Sequence, residues 1–436
     1  MNKKNVLVID SGARGHVLAE LLTSSPSVDR VRCYPGNGGT DQFCEPIKST
    51  VKLDNPHGLL DIASMFNIDL TVVGPELPAV HGVADAFKDA KKLIICPNKT
   101  AAQLEDSKIY AKLFMVRHGI PTADFDVYYC EEDVWRFAVE RNWKCVIKAN
   151  GLCGGKGAYV CTTKEEVKAV IAELFGTKVH GAAGEKGVVE DLLLGVETSF
   201  FILADGKTFV ECGTAGDHKR AFDHDQGPNT GGMGAFWPCP YTDEAMRQKI
   251  LGKIVDRTIA GMLEEGRPFT GFLYVGVMLT ADGPKVLEYN VRFGDPEAQV
   301  VIPSIDTDKI DSYELLKAAA TGNLGKIEIP WRAGVRVGVV LATGNYPGKE
   351  RGGFKAKITG PIRMGEARED VLVYHAATVE ENGEFFATPG RVLTVSAPGS
   401  NYENAIDRAY RVVNQIEFEG MRCRSDIGKR AMLIAS

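Results

Sequence analysis

The chain reads as an α/β protein that opens with a doubly wound parallel sheet, and three observations predict it. Short apolar runs alternate with helical stretches through roughly the first hundred residues. Glycine-rich turns follow several of those runs, where sheets of this kind place their ligands. A fresh set of strand-like runs begins near Gly334, so more than one structural unit is present. At 436 residues the chain has room for about three such units.

In order, Val6-Leu-Val-Ile9 is the first strand, and Asp10-Ser-Gly-Ala-Arg-Gly-His16 turns it into a helix through Val17–Leu22. Strands follow at Val31–Tyr34, Leu70–Val73 and Leu93–Cys96, with helices over Gly58–Phe66 and Val80–Ala90. One helix is predicted from near Ala101, through Ser107 and Lys108, to about His118. Lys144–Ala149 is a strand running into Gly151-Leu-Cys-Gly-Gly-Lys-Gly157, and Gly187–Glu190 is another. The stretch from Gly213 to Pro240 is too poor in apolar periodicity to predict a regular element and reads as a long functional loop. Val335–Leu341 and Val371–Tyr374 are strands of the last part, with the boundary placed at Trp331–Gly334.

Composition narrows the function classes. Hydrophobic residues make up 44% and charged residues 25%, ordinary for a globular enzyme. A net charge of -6 argues against nucleic acid as partner. No apolar run is long enough to span a bilayer, and the first residues do not form a secretory signal. Ten cysteines, scattered without a C-x-x-C pair, suit a reducing cytoplasm with mostly buried or inert thiols.

The most informative segment is Lys285-Val-Leu-Glu-Tyr-Asn-Val-Arg-Phe293, followed by Gly294-Asp-Pro-Glu297. On a regular strand, Leu287, Tyr289 and Val291 share one face, and Glu288, Asn290 and Arg292 the other. Acid and amide oxygens suit a hard cation such as Mg2+, which commonly also holds nucleotide phosphates. A guanidinium beside them suits a carboxylate or phosphate. The Gly151–Gly157 loop lets backbone N–H groups approach phosphates, with Lys148 nearby. It is not a Walker A loop, because Gly157 follows Lys156 where Ser or Thr is required. Gly12 and Gly15 alone do not make a dinucleotide fingerprint, which disfavours a nicotinamide enzyme. As a plain surface ion pair, E-x-N-x-R would be unremarkable; its combination with the lysines and the loop favours chemistry.

That combination resembles the ATP-grasp nucleotide site and, more narrowly, the phosphoribosylamine–glycine ligase (glycinamide ribonucleotide synthetase) family. The resemblance rests on Pro35–Thr40, Val73–Glu76, Ala102–Lys108, Asp217–Arg220, Gly227-Pro-Asn-Thr-Gly-Gly-Met-Gly-Ala235, Glu288–Glu297 and Asp426–Gly428, and so covers essentially the whole chain. It implies a sugar-phosphate domain at 1–103, an ATP-grasp domain at 104–330 with a mobile lid at about 124–192, and a small C-terminal α/β domain at 331–436. It further implies ATP with Mg2+ or Mn2+, and glycine and 5-phosphoribosylamine as substrates of a monomer in the cytoplasm.

Carried onto this sequence, the resemblance gives Glu288 and Asn290 to the metal. Lys108, Lys148, Gly154, Gly155, Lys156, Gly157, Glu190, Leu193 and Glu197 go to ATP. Arg292, Asp217 and Lys219 form the catalytic set, Arg292 taking the glycine carboxylate and Asp217 its ammonium. Gly12, Asn37, Gly38, Gly39 and Thr40 cradle the 5'-phosphate, and Glu76 reaches the ribose. His218 and His224 lack metal-ligand spacing and read as packing or substrate contacts. In one turn the chain departs from the family: where Gly-Ser-Gly-Gly-Arg-Glu-His is usual, Asp10, Ala13 and Gly15 stand for two glycines and the glutamate. Two other readings share part of this pattern: an ATP-grasp ligase for a different amine, and a nucleotide-binding regulator without catalysis.

Overall fold

The structure, a computed structural model, describes residues 3–154, 157–350, 352–367 and 370–435. The N-terminal part is a parallel sheet of five strands, Lys4–Asp10, Val28–Pro35, Glu45–Pro46, Leu70–Val73 and Leu93–Ile95. The first strand lies at its centre, flanked by the second and the fourth. Val6, Leu7, Val8 and Ile9 are fully buried, since both faces of a parallel sheet are covered. The topology thus reverses direction beside Asp10, which opens a crevice there. The region expected as one helix at Val80–Ala90 is two, Glu76–His81 and Val83–Asp89, parted at Gly82 with φ of +90°.

The central part is built on a long mixed-length sheet whose path also includes strands of the C-terminal part. Gly283–Asn290 is its edge, followed by Thr270–Thr280, Val196–Asp205, Phe209–Asp217, Gly234–Trp237, Val335–Thr343, Arg391–Gly399 and Leu372–His375. The C-terminal part therefore extends the central sheet, joined through the Ala235–Gly338 pairing. Helices Glu244–Ile250 and Asp256–Glu264, with the turn Leu251–Val255 between them, cover one face, packing Ile254, Ile259 and Met262 against Ile202, Val275 and Tyr289. The other face meets helices Ala298–Val301 and Ser312–Ala320 through Phe201, Tyr274 and Phe293. A four-stranded antiparallel sheet of Phe125–Tyr128, Cys145–Ala149, Ala158–Cys161 and Gly187–Asp191 has its own core around Tyr128, Phe137, Ile147 and Val167. Among the described residues no helix is long and apolar enough to cross a membrane. All ten cysteines are free, seven of them buried.

Three expectations need correction. The Gly213–Pro240 stretch carries strands Arg220–Phe222, Gln226–Asn229 and Gly234–Trp237 and the end of Phe209–Asp217. Gly234–Trp237 is buried between strands and on both faces, so no polar alternation marks it. The helix expected from Ala101 to His118 is broken at Ser107, which is extended (φ -131°, ψ 107°) and caps Lys108–Arg117 by accepting from Tyr110 N. Finally, Leu287 does not share a face with Tyr289. The register shifts between Gly276 and Val277, leaving Leu287 as the extra residue of a β-bulge. Val286, Tyr289 and Val291 pack into the core instead, while Leu287 is only half-buried.

Candidate active site

Cross-strand register assembles the polar face. Opposed residues of an antiparallel pair point to the same side. Glu288 lies opposite Gly276 and Asn290 opposite Tyr274; Gly276 in turn faces Ser199, and Ser199 faces Ala215, two residues before Asp217. Glu197, two residues before Ser199, lies on the same side. Gly276 and Ala215 leave a low floor between these groups. Across it stands Tyr274, within 3.0 Å of Ser199 Oγ, and Ser199 Oγ donates to Glu297 Oε1 at 3.3 Å.

Lysines converge on Glu288 from two directions. Lys108, first residue of its helix because Ser107 breaks the preceding turn, brings Nζ within 2.9 Å of Glu288 Oε2. Lys148, from the four-stranded sheet, donates at 2.9 Å to the Leu287 carbonyl, which the bulge frees from the strand ladder. Burial opposes ionisation of Glu288, but Lys108, Lys219 and Lys148 outweigh it and hold the carboxyl well below the usual range. Lys148 also pairs with Glu190, as does Lys112, one helical turn beyond Lys108. These three groups are almost wholly buried. Burial lowers the Lys112 ammonium to about 8 despite the carboxylate.

Nearer the middle of the sheet Lys219 pairs with Glu197. Burial pushes Asp217 up to about 7, with Lys219 opposing and Glu297 and Glu197 reinforcing the shift. Glu297 is likewise raised, chiefly by burial. The Lys219 ammonium is held well above its ordinary range: burial opposes this, but Asp217 and Glu197 prevail. Arg292 reaches the border with the N-terminal part. Its Nε donates to Glu76 at 2.9 Å and its terminal nitrogens lie 3.3 Å from Asn290 Oδ1, 3.3 Å from Glu105 Oε1 and 3.1 Å from the Phe293 carbonyl. A substrate carboxylate reaching Arg292 therefore competes with Glu76 and Glu105. Burial lifts Glu105 to about 7, with Arg292 pulling the other way.

The expected phosphate cradle is assembled by Asn37. Its Oδ1 accepts from Gly39 N at 2.9 Å and Thr40 N at 3.1 Å, while its amide donates to the Ser11, Gly12 and His375 carbonyls. Gly38 N donates to the Thr378 carbonyl at 3.1 Å, so the last part of the chain clamps the turn. A Cβ at Gly39 would lie 2.5 Å from the His16 ring, which makes glycine obligatory there.

The structure thus brings together Lys108, Lys148, Glu190 and Glu288; Lys219, Glu197 and Asp217; Arg292, Asn290 and Glu76; and Gly12 with Asn37–Thr40. Gly154 stands in open space, with nothing within 4 Å of a built Cβ, and Leu193 lies half-buried in the link to the central sheet. Gly155 and Lys156 fall outside the described residues. His218 is buried and accepts from Gly428 N at 3.1 Å, which makes it packing, as expected. His224, exposed at φ +57°, donates its amide to Asp426. Sequence reasoning missed Lys112, Glu105, Glu297 and His375. Lys112 was findable, four residues from Lys108 and so on the same helix face; His375 carries no sequence signal toward residue 37.

For a metal, no group of three or more His, Cys, Asp or Glu side chains among the described residues is placed to hold an ion by itself. Glu288 and Asn290 nonetheless fit Mg2+ held by one carboxylate, one amide oxygen and phosphate oxygens, the mode that cation favours.

Three family models match in succession: the N domain of phosphoribosylglycinamide synthetase over residues 4–105, its ATP-grasp (A) domain over 106–298 and its C domain over 336–430. The chain belongs to the phosphoribosylglycinamide synthetase family. Curated relatives named phosphoribosylamine–glycine ligase include those of Vibrio cholerae, 40% identical over 428 residues (98% of each chain), and Chlorobaculum tepidum, 40% identical over 429 residues (98% of this chain and all of the other). The solved phosphoribosylamine–glycine ligase of Thermotoga maritima superposes with a TM-score of 0.80 at 30% identity, covering 97% of this chain and 99% of that one. Biotin carboxylase of Campylobacter jejuni, at 14% identity and a TM-score of 0.72, shares the fold. The family and the fold class expected from the sequence are both borne out by these matches.

Proposed function

We propose that this synthetase-family chain is an ATP-dependent phosphoribosylamine–glycine ligase of purine biosynthesis, working through glycyl phosphate. The observation that carries the reading is the register that sets Glu288 and Asn290 beside Lys108 on a sheet face leading to Asp217 on one side and Arg292 on the other. Full-length kinship with phosphoribosylamine–glycine ligases supports it.

Glycine carboxylate is a poor acylating group because its leaving group would be oxide. Attack of a carboxylate oxygen on the γ-phosphorus of ATP releases ADP and gives a mixed anhydride. The amine nitrogen of phosphoribosylamine then attacks the carbonyl carbon, phosphate departs with the C–O electron pair, and the nitrogen gives up a proton. Such a sequence demands alignment and charge neutralisation rather than a side-chain nucleophile. Lys108 and Lys148 neutralise phosphate oxygens, Glu190 and Glu197 serve the adenosine end near Leu193, and Gly154, Gly155, Lys156 and Gly157 bind ATP. A divalent cation, Mg2+ or Mn2+, held by Glu288 and Asn290 would neutralise the transferring phosphoryl group. Asp217 orients the glycine ammonium, with Lys219 beside it. Arg292 exchanges Glu76 or Glu105 for the glycine carboxylate, releasing Glu76 to the ribose. Gly12 and Asn37–Thr40 hold the 5'-phosphate.

Residues 1–103, 104–330 and 331–436 are the three working parts. The lid, about 124–192, has its own hydrophobic core, which lets it close as a body and shield the anhydride from water. The enzyme acts as a monomer in the cytoplasm on small molecules, without nucleic acid or membrane. Phosphate release from ATP that requires glycine and phosphoribosylamine together, with 18O passing from labelled glycine carboxylate into phosphate, is the expected result. Release supported by another acid–amine pair, or nucleotide binding without turnover, would overturn the reading.

A further inference from the structure

The departure at Asp10 and Gly15 has a geometric logic. Asp10 ends the central strand of the N-terminal sheet, and its carboxylate is almost wholly buried. Oδ1 accepts from Gly12 N at 2.7 Å and Oδ2 from Arg14 Nε at 2.9 Å. Arg14, also buried, donates from its Nη1 to the Phe293 carbonyl at 3.3 Å, the same oxygen that Arg292 Nη1 reaches at 3.1 Å. The backbone carbonyl of Asp10 accepts from Gly36 N at 3.1 Å, which ties the Pro35–Thr40 turn to the same residue. One aspartate thus holds both halves of the phosphate cradle and the arginine that links it to the catalytic strand.

Space explains why the neighbours changed. A Cβ at Gly15 would lie 2.4 Å from Asp10 Cβ, and one at Gly74 would lie 2.0 Å from Asp10 Oδ2. Separations under about 3 Å are not tolerated, so a side chain at 10 and one at 15 exclude each other. Both positions open into one pocket, entered from the strand by residue 10 and from the helix by residue 15.

We propose that Asp10 is a positioning and specificity-determining residue for the sugar phosphate. It supplies from the strand the carboxylate that the usual family pattern carries on the helix, as glutamate at position 15, and so fixes Arg14 and the Gly12 amide. The inference rests on the sugar-phosphate role of Gly12 and Asn37–Thr40 proposed above. It differs in outcome from the simpler idea that Asp10 merely repels phosphate: a repelling carboxylate would improve binding when removed, whereas a positioning one is missed.

The test is a reciprocal swap, read by calorimetric titration of the full-length protein with ribose 5-phosphate and separately with ATP. Asp10→Gly is expected to weaken ribose 5-phosphate binding by about 10-fold or more, the scale of a lost charge-assisted hydrogen bond, and to leave ATP affinity unchanged. Asp10→Asn keeps the shape and loses the charge, and should weaken it in the same direction, guarding against a folding artefact. The double variant Asp10→Gly/Gly15→Glu should recover wild-type affinity within about 3-fold, a non-additivity that independent sites do not show. The inference is overturned if Asp10→Gly or Asp10→Asn binds ribose 5-phosphate as well as wild type, if ATP affinity falls equally, or if the double variant does no better than Asp10→Gly. A wild-type protein that does not bind ribose 5-phosphate would refute the sugar-phosphate role itself, and the inference with it.

Discussion

Glu190 is the carboxylate whose removal tests the electrostatics of this site most sharply. It is 1% exposed, and it alone is paired with both Lys112 and Lys148, which are 2% and 6% exposed. Glu190→Gln keeps the volume and removes the one carboxylate paired with both buried ammonium groups, leaving Lys148 only the field of Glu288. Breaking one buried pair from one side costs about 3–5 kcal/mol. Two lysines depend on this one acid, so the upper half of that range is expected. The Lys112 ammonium, already lowered to about 8 by burial with the carboxylate present, falls further without it. Because Glu190 lies on a strand of the four-stranded sheet and Lys112 on the helix Lys108–Arg117, the cost falls on docking of that sheet. Global unfolding of a chain with several cores is a poor readout, since it need not be two-state. Hydrogen exchange followed by mass spectrometry over Cys145–Ala149 and Gly187–Asp191 is suitable. A loss of about 4 kcal/mol raises exchange through local opening by about 700-fold, at 1.4 kcal/mol per tenfold. Adding Lys112→Met to Glu190→Gln should recover part of the protection by removing one stranded charge. Unchanged exchange in Glu190→Gln would refute the argument, because it would mean that the lysines find water or shed their protons at no cost.

Three further outcomes follow from the same geometry. Glu288→Gln should lower turnover by well over ~10-fold and weaken the response to added Mg2+, because charge stabilisation through a metal is worth several kcal/mol; an unaltered Mg2+ titration would remove Glu288 from the metal. Arg292→Lys should raise the KM for glycine with little change in the KM for ATP, since a point charge cannot replace a planar fork held by Glu76, Glu105 and Asn290; a glycine KM equal to wild type would count against the contact. Asp217 and Glu105 both sit near 7 when folded, above their ordinary 3.8 and 4.5. Between those values the native protein keeps protons that the unfolded chain has lost, so their contribution to stability is complete below about pH 4 and declines as pH rises through about 7. Hydrogen-exchange protection over Phe209–Asp217, corrected for the intrinsic pH dependence of exchange, should therefore show a smaller decline from about pH 5 to about pH 8 in Asp217→Asn than in wild type; equal declines would contradict the assignment.

What the sequence disclosed, and what it withheld, separate along physical lines. Local periodicity is a short-range signal, and it located the strands around Val6–Ile9, Leu70–Val73 and Cys145–Ala149 to within a residue or two. Functional residue types on one strand were legible because Glu288 and Asn290 need no long-range information to share a face. The bulge at Leu287 was not legible: it depends on pairing with Thr270–Thr280, and nothing in the run Val-Leu-Glu-Tyr-Asn shows where the register slips. Yet that slip is what turns the Leu287 carbonyl toward Lys148. Gly234–Trp237 was hidden for the opposite reason, since a strand buried on every side has no polar face to give it a period.

Partnerships across the chain were the least accessible. Arg292 was identified from its chemistry, but its ties to Glu76 and Glu105 span separations of 216 and 187 residues that no spacing rule reaches. Those ties alter how the site must work. A guanidinium already satisfied by two carboxylates is pre-oriented, and its cost of desolvation is met before glycine arrives. In the function proposed above, glycine wins Arg292 only by exchanging one internal carboxylate for its own, and Glu76 belongs to the part proposed to hold the sugar phosphate. Release of Glu76 is therefore favoured when ribose hydroxyls are present to receive it. On this geometry the amino acid and the sugar phosphate assist each other's binding, and Glu76→Gln should loosen that mutual dependence, so that the KM for glycine no longer varies with the concentration of phosphoribosylamine. A glycine KM that still falls with added phosphoribosylamine in Glu76→Gln would place the coupling elsewhere.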